Sequence, residues 1–337
     1  MYYNGINIRY LYIIGNGFDI HHEINCKYTD FRHWLEKTKP NIYSQLCELY
    51  QISIDKNEAK EWWSEFENML SELDLNNYVE NVVIGNYPDF SKEDLRDRDY
   101  HAAEYAAEDE LGRLVYNVKH TFCCWIASLD KADSRKRIHL IRKDSLFITF
   151  NYTRTLEELY RIPENQVLHI HGMIGDDKLI LGHGKSYTEL EEIYEMAQPQ
   201  PPADLEGKEL ENWYSSQSDY ITLQTQKVAL LQVASLQKDV QRIISENRLI
   251  WDSLGDVEKI HIFGFSFSDI DTPYLCTIIN HINLGTVKWQ ISAFSDMDIE
   301  KIENFMANAG IKENLWKPLV TLRDIQPYTE LSFFDDL

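Results

Sequence analysis

The amino-acid sequence predicts an α/β fold, in which a mostly parallel sheet carries large helical insertions. Short apolar runs of strand length recur along the chain, and helical patterns separate them. A helix between two strands favours parallel pairing, because parallel strands need a crossover connection. The 337 residues and the 44% hydrophobic content are enough for a large core. We therefore expect a single α/β domain over residues 1–337.

The first strand is predicted at residues 8–14, and the sequence Gly15-Asn16-Gly17-Phe18-Asp19 follows it directly. Two glycines after a first strand permit a tight turn and the close approach of backbone N–H groups to a phosphate. The pattern is not the full Gly-x-Gly-x-x-Gly fingerprint, so an ordinary strand-to-helix turn is the alternative interpretation.

Residues 28–140 are predicted as a helical insertion within the domain. Apolar side chains recur there at helical spacing, as in the stripe that contains Leu111, Leu114, Val118 and Phe122. Such stripes indicate core packing, and a base-stacking platform is the alternative. We expect the insertion to pack beside the sheet and to form one wall of a cleft.

The sheet is predicted to resume after this insertion. Residues 185–250 are predicted as a polar loop or lid followed by one long helix, at 223–249. A short helix is expected at residues 155–161. Apolar runs that predict further strands occupy residues 146–150, 167–170, 179–181, 260–263, 287–294 and 319–322. Residues 333–337 are predicted as a short acidic tail.

Small or polar residues follow four of the predicted strands. Parallel strands end on the same edge of a sheet, and open α/β sheets bind ligands at that edge. The sequence therefore predicts a nucleotide-sized cleft lined by backbone amides, one amide side chain and one imidazole. The residues concerned are Gly15 with Gly17, Asn151, His171, and Gly264 with Ser266.

An alternative interpretation gives Asn151 and His171 structural roles, with Asn151 capping the next helix and His171 bonded in a loop. The cleft interpretation instead expects Gly172 to hold a strained turn that leaves the His171 imidazole exposed to a ligand. It also expects His169 to lie on the same face as His171 and to support it, if the strand runs on that far.

Composition disfavours several classes of protein. A net charge of −22 disfavours non-specific binding to nucleic acid or to an anionic membrane. Five irregularly spaced cysteines predict neither a disulfide framework nor a structural metal site. Because no apolar run reaches membrane-spanning length and no signal-peptide pattern is present, we expect a soluble cytoplasmic protein.

Four motifs in this order resemble those of the AbiH-type bacteriophage abortive-infection family. They are Gly-Asn-Gly-Phe-Asp at 15–19, Phe-Asn-Tyr-Thr at 150–153, His-Ile-His-Gly at 169–172 and Gly-Phe-Ser-Phe-Ser-Asp at 264–269. The same order is similar to the wider sirtuin-like NAD-binding superfamily. There the second motif usually reads Thr-x-Asn-Tyr-Asp. The helical insertion carries none of these motifs.

This resemblance implies a Rossmann-like, sirtuin-like site that consumes NAD as a substrate. It implies catalytic roles for His171 and Asn151. Thr153 stands where many relatives have Asp, which removes a carboxylate and favours a binding role. The absence of two Cys-x-x-Cys pairs disfavours protein deacylation. The residues implied in binding the nucleotide are Gly15, Asn16, Gly17, Asp19, Thr153, Gly264, Ser266 and Asp269.

The leading hypothesis is an antiphage NAD glycohydrolase that depletes cellular NAD. The alternative is a non-catalytic module that senses a nucleotide or binds a partner, and a nicotinamide-dependent dehydrogenase is disfavoured by the incomplete glycine fingerprint. Candidate partners are NAD or a related nucleotide, a phage trigger or partner protein, and a second copy of the chain.

Overall fold

The computed structural model describes residues 8–53, 56–139, 142, 145–176, 179–198, 201–202, 204–217 and 220–325. The chain divides into two compact units. Unit 1 consists of Met1–Asp30, Cys123–Ile180 and Asp239–Leu337, and unit 2 consists of Phe31–Phe122 and Leu181–Lys238. Each unit is thus assembled from segments that are far apart in the sequence.

Unit 1 contains a five-stranded parallel sheet with the strand order β3-β2-β1-β4-β5. The predicted α/β fold with a parallel sheet is therefore confirmed. The first strand lies at the centre, between the second and the fourth. The strands are β1 Tyr10–Ile14, β2 Ser145–Thr149, β3 Val167–His169, β4 Lys259–Phe263 and β5 Lys288–Ile291.

Apolar side chains cover both faces of this sheet, as expected for parallel strands buried on both sides. Because side chains alternate along a strand, successive residues enter different layers of the core. We call the larger layer, which contains Leu11, Ile148 and Ile262, the Leu11 layer. The other layer contains Tyr12 and Phe147 and is called the Tyr12 layer.

The helices in chain order are as follows. They are α1 Asn16–His21, α2 Tyr28–Thr38, α3 Pro40–Leu49, α4 Lys56–Ser64, α5 Phe66–Met69, α6 Leu75–Asn86, α7 Asp97–Tyr100, α8 Ala102–Ala127, α9 Thr155–Tyr160, α10 Tyr187–Ala197, α11 Lys208–Gln217, α12 Tyr220–Ala234, α13 Val240–Glu246, α14 Arg248–Trp251, α15 Thr272–Asn280 and α16 Asp296–Asn308. Short 3₁₀ helices occupy Ser134–Lys136, Glu164–Gln166, Leu254–Asp256 and Glu313–Leu315. None of the helices in the described ranges is long and apolar enough to cross a membrane.

Two of the predicted strands are wrong. Residues 179–181 join no strand of the described sheet, although the Ile180 N–H donates to the carbonyl of His171 at 2.9 Å. Residues 319–322 contribute one isolated bridge, between Val320 and Ser292. An apolar run of three or four residues is too short to distinguish a strand from a buried loop. The predicted tail at 333–337 lies outside the described residues.

The single long helix predicted at 223–249 is interrupted between α12 and α13. Leu236 accepts a hydrogen bond from the His183 N–H at 3.1 Å, and the Lys238 N–H donates to His183 at 2.7 Å. Asp239 then caps α13 by accepting from the Arg242 N–H at 3.0 Å. The apolar periodicity continued through this break because Leu236 is itself buried. The polar stretch before α12 is also more regular than predicted, since it forms α10 and α11.

Candidate functional site

Four turns at one edge of the sheet carry predicted site residues. Because the sheet is parallel, the carboxyl ends of its strands lie along that edge. Gly15 follows β1, Asn151 follows β2, His171 follows β3 and Gly264 follows β4. The strand order reverses between β1 and β4, and open α/β sheets bind ligands near such a point.

The glycine turns after β1 and β4 pack backbone against backbone. A Cβ atom on Gly15 would lie 2.6 Å from the carbonyl oxygen of Gly264, and one on Gly264 would lie 2.1 Å from the amide nitrogen of Phe18. Gly264 also has a φ of +65°, in the left-handed region that favours glycine. The close approach of the two turns therefore requires glycine.

The amides of both glycines after β1 are hydrogen-bonded within the fold. The Gly15 N–H donates to the carbonyl of Phe263 at 3.0 Å, and the Gly17 N–H donates to that of Gly264 at 2.8 Å. A backbone N–H has one proton to donate. These two amides therefore have no further proton to donate to a phosphate in this conformation. The phosphate contact predicted for Gly15 and Gly17 stays a prediction.

A buried polar cluster surrounds Asp19, the last residue of the first motif. Asp19 is 1% exposed. Its carboxylate accepts hydrogen bonds from the hydroxyls of Thr153 at 2.5 Å and Thr155 at 2.8 Å. The Asn151 side chain lies close enough to lower the pKa of this carboxyl. We call Asp19, Asn151, Thr153 and Thr155 the Asp19 cluster. Pairing of β1 with β2 brings its members together.

Thr153 has a carboxylate beside it, although its own side chain lacks one. The hydroxyl of Thr153 donates to Asp19, which comes from a different motif. A carboxylate at position 153 would face Asp19 directly, and like charges at that distance repel. Asp19 therefore supplies a carboxyl group at this point of the site, where Thr153 has none.

Burial raises the pKa of Asp19 from 3.8 to about 6. Hydrogen bonds from Thr153 and Thr155, together with the nearby Asn151 and His169, act in the opposite direction and favour the ionised form. A carboxyl that changes its protonation state near neutral pH is a frequent feature of functional sites. Asp19 is the one member of the cluster whose side chain carries a pH-dependent charge.

We expect Asp19→Asn to remove a pH-dependent loss of stability. The folded protein holds the Asp19 proton up to a pH of about 6, whereas the unfolded chain releases it near 3.8. The wild type should therefore lose stability as pH rises through this window, by about 3 kcal/mol. Urea unfolding of both proteins at pH 4 and pH 7 measures the effect. The expectation would be contradicted if Asp19→Asn lost as much stability between pH 4 and pH 7 as the wild type does.

The amide of Asn151 has a defined orientation. Its Nδ2 donates to the carbonyl of Gly15 at 3.1 Å, while Oδ1 is buried and accepts no hydrogen bond from the described residues. A buried acceptor without a donor is costly and is therefore uncommon. This oxygen is well suited to accept a hydrogen bond from a bound molecule. The alternative helix-capping role is wrong, because Arg154 occupies the N-cap of α9.

His169 does not support His171 as predicted. The His169 ring lies 3.2 Å from the carbonyl of Asn151 and 2.8 Å from a carboxylate oxygen of Glu157, on α9. Its strand neighbour Val167, on the same face, belongs to the Tyr12 layer. The strand ends at His169, so the alternation of faces does not extend to His171.

The His171 ring is buried, whereas the sequence predicted an exposed imidazole. It is 3% exposed. The ring centroids of Phe150, Tyr152 and Tyr274 lie 5.3, 6.2 and 5.9 Å from it. Phe150 and Tyr274 belong to the Leu11 layer, so the ring is enclosed by the core. The His171 Nε2 atom lies 3.7 Å from Oδ1 of Asp271.

Three predicted nucleotide-binding residues lie outside these buried groups. Asn16 is exposed, and its amide donates to the carbonyl of Cys26 at 3.0 Å. Ser266 and Asp269 are exposed in the loop after β4. Within the described residues, no hydrogen bond joins these two side chains to the Asp19 cluster or to His171.

Sequence reasoning selected Asp269 where the structure brings Asp271 to His171. The signal was present in Pro273, because proline is favoured in the first turn of a helix and so places Asp271 at the N-cap. Thr155 and Glu157 were also missed. Both lie in the first turn of α9. Threonine and glutamate are ordinary residues at the start of a helix, so the sequence does not mark them as site residues.

A cavity of about 310 Å³ lies in unit 2, and none of its lining residues is a predicted site residue. Two of its acidic lining residues are already engaged, since Glu110 accepts from the Tyr78 hydroxyl and Asp74 caps α6. We therefore place the candidate site at the sheet edge, where the Asp19 cluster and the His171–Asp271 pair lie at the ends of neighbouring strands.

A family model described as bacteriophage abortive infection AbiH matches residues 11–293. This span is more than half of the chain and includes every predicted site residue. Neither a curated protein nor a solved structure matches the chain.

Proposed function

The chain belongs to the bacteriophage abortive infection AbiH family, and we propose that it performs this antiphage role by hydrolysing NAD at the nicotinamide–ribose bond. A sirtuin-like relationship, inferred from the order of the four motifs, is part of the proposal. So is the residence of the protein in the cytoplasm, where cellular NAD would be its substrate.

The observation that carries this proposal is the buried acceptor of Asn151 beside the Asp19 carboxyl. Asn151 Oδ1 accepts no hydrogen bond from the described residues, and Asp19 accepts from two hydroxyls. A site that offers acceptors suits a ligand that offers donors, and ribose hydroxyls are such donors. Carboxylates also suit a reaction in which positive charge develops on a sugar ring.

In the proposed reaction, the bond between the nicotinamide nitrogen and C1′ of the ribose breaks, and its electron pair leaves with nicotinamide. The oxygen of a water molecule then bonds to C1′. His171 accepts the proton that this water releases, because a neutral imidazole is a suitable base near neutral pH. Asn151 Oδ1 holds a ribose hydroxyl or the water in place.

The proposal requires the site to open, since His171 and Asn151 are both buried. The segment after His171 is held by the Tyr152 hydroxyl, which donates to the carbonyl of Ile180 at 2.8 Å. We propose that a phage trigger, a partner protein or a second copy of the chain stabilises an open form. A ligand shifts such an equilibrium only if it binds one form better than the other.

The test is NAD loss in phage-infected cells that produce the protein, because infection supplies the trigger. We expect NAD to fall and free nicotinamide to rise after infection with the wild-type protein. His171→Ala should reduce the rate of loss about 100-fold or more, since removal of a general base has effects of that order. The measurement is quantification of both metabolites during infection.

The matched control is His281→Ala. His281 is also in unit 1 and also faces an aspartate, with its Nε2 3.5 Å from Asp252. This variant should deplete NAD at the wild-type rate. Protection against phage without NAD loss would instead favour the sensor or partner-binding alternative. Undiminished NAD loss with His171→Ala would contradict the assigned base.

A further inference from the structure

We propose that Asp271 is a positioning residue that orients His171 and stabilises the charge the ring acquires when it accepts a proton. This inference rests on the proposed NAD hydrolysis for its catalytic consequence, whereas the pairing itself rests on geometry. Asp271 is not one of the residues that the sequence motifs assigned to the site.

The first support is the position of Asp271 against the ring. Its Oδ1 atom lies 3.7 Å from Nε2 of His171, and the two side chains are 14% and 3% exposed. A separation of 3.7 Å is a charge contact rather than a full hydrogen bond. Catalytic contacts are often long in the absence of substrate and shorten in the bound complex.

The second support is that hydrogen bonds from the preceding turn fix the position of the Asp271 carboxylate. The Ser268 hydroxyl donates to its Oδ2 at 3.2 Å, which leaves Oδ1 turned toward His171. The Asp271 N–H donates to the carbonyl of Ser268 at 3.1 Å. The Thr272 N–H and hydroxyl donate to the same carbonyl at 2.9 and 2.8 Å. The carboxylate therefore sits on a fixed turn at the start of α15.

The third support is the apolar surroundings of the pair. Among the described contacts, the titratable groups that face His171 are Asp271 and Tyr274 from α15 and Tyr152 from the turn after β2. The Phe150 ring also lies against His171. Charges attract more strongly where water is excluded. Asp271 thus has a larger effect on His171 than an exposed aspartate at the same distance would have.

The other buried histidine–carboxylate pair cannot replace this one. His169 and Glu157 are 2.8 Å apart, on the face of the sheet that contributes to the Tyr12 layer. His171 contacts rings of the Leu11 layer. Asp271 is therefore the carboxylate that the described contacts assign to His171.

The first experiment needs no substrate. It follows the His171 ring signals by NMR during a pH titration of the full chain, in the wild type and in Asp271→Asn. We expect the His171 titration midpoint to fall by about 1 pH unit when the carboxylate is removed. Asparagine is as good an N-cap residue as aspartate, so α15 is retained in this variant.

Asp252→Asn is the matched control, because Asp252 faces His281 at 3.5 Å. In that variant the His171 midpoint should stay at its wild-type value. Ser268→Ala, which releases Oδ2 but keeps the charge, should move the His171 midpoint by less than Asp271→Asn does. An unchanged His171 midpoint in Asp271→Asn would overturn the proposal, whatever the outcome for NAD.

The second experiment measures nicotinamide release by the protein purified from infected cells. Asp271→Asn should lower kcat roughly tenfold or more with little change in KM, as expected when an orienting partner of a histidine is lost. Asp252→Asn should behave as the wild type. A moved midpoint without any nicotinamide release by the wild type would refute the hydrolase and leave the pairing intact. An unchanged kcat in an active enzyme would refute the positioning role.

Discussion

Gly264→Ala should destabilise unit 1 by about 4 kcal/mol or more, the range reached when a buried backbone contact is disrupted. A Cβ atom at this position would lie 2.1 Å from the Phe18 nitrogen and 2.4 Å from the Gly17 carbonyl carbon. Backbone atoms cannot move aside as the end of a flexible side chain can. Hydrogen exchange of the β1 and β4 amides, followed by mass spectrometry, reports the loss.

Gly310→Ala is the control for Gly264→Ala. Gly310 has nearly the same φ, +69°, but no atom lies within 4 Å of its added Cβ. Its substitution should therefore cost only the left-handed conformation, roughly 1–2 kcal/mol. Equal losses in the two variants would show that the close packing of the two turns contributes nothing.

Lys238→Ala should destabilise unit 2 by about 3–5 kcal/mol, because it removes the buried cation that balances the charge of the Glu67 carboxylate. Lys238 is 1% exposed, and its ammonium group lies 3.1 Å from both carboxylate oxygens of Glu67. The pair joins the two chain segments that form unit 2. Urea unfolding monitored by far-ultraviolet circular dichroism measures the change.

Lys185→Ala is the matched control in the same unit. Lys185 pairs with Glu72, but the two side chains are 33% and 49% exposed. An exposed pair contributes about 1 kcal/mol or less, because water already solvates both charges. The expectation for Lys238 fails if both alanine variants lose the same small amount of stability.

The sheet could be predicted from the sequence because its strands are short, apolar and followed by distinctive residues. The apolar runs ending near Ile14, Phe150 and Phe263 correspond to β1, β2 and β4. In each case a glycine or an asparagine marks the point where the strand ends. The helical character of residues 28–140 was readable for a similar reason, since long apolar stripes at helical spacing are typical of helices that pack against a core.

The contacts within the site could not be predicted, because they join residues that are far apart in the sequence. Asp19 meets Thr153 only after β1 and β2 pair, and Asp271 meets His171 only after α15 is placed. The burial of His171 also depends on Tyr274, which belongs to a later helix. Local patterns predict strand ends and helix caps, but they do not identify which side chains become neighbours.

The position of β1 at the centre of the sheet determines when the site can exist during synthesis of the chain. Tyr10 pairs with Ser145 on one side and with Lys259 on the other. The central strand therefore cannot complete its pairing until β2 and β4 have been synthesised. At about 5–20 residues per second, translation from Gly15 to Asp271 takes on the order of tens of seconds. A nascent chain that has not yet reached Asp271 therefore lacks the assembled site.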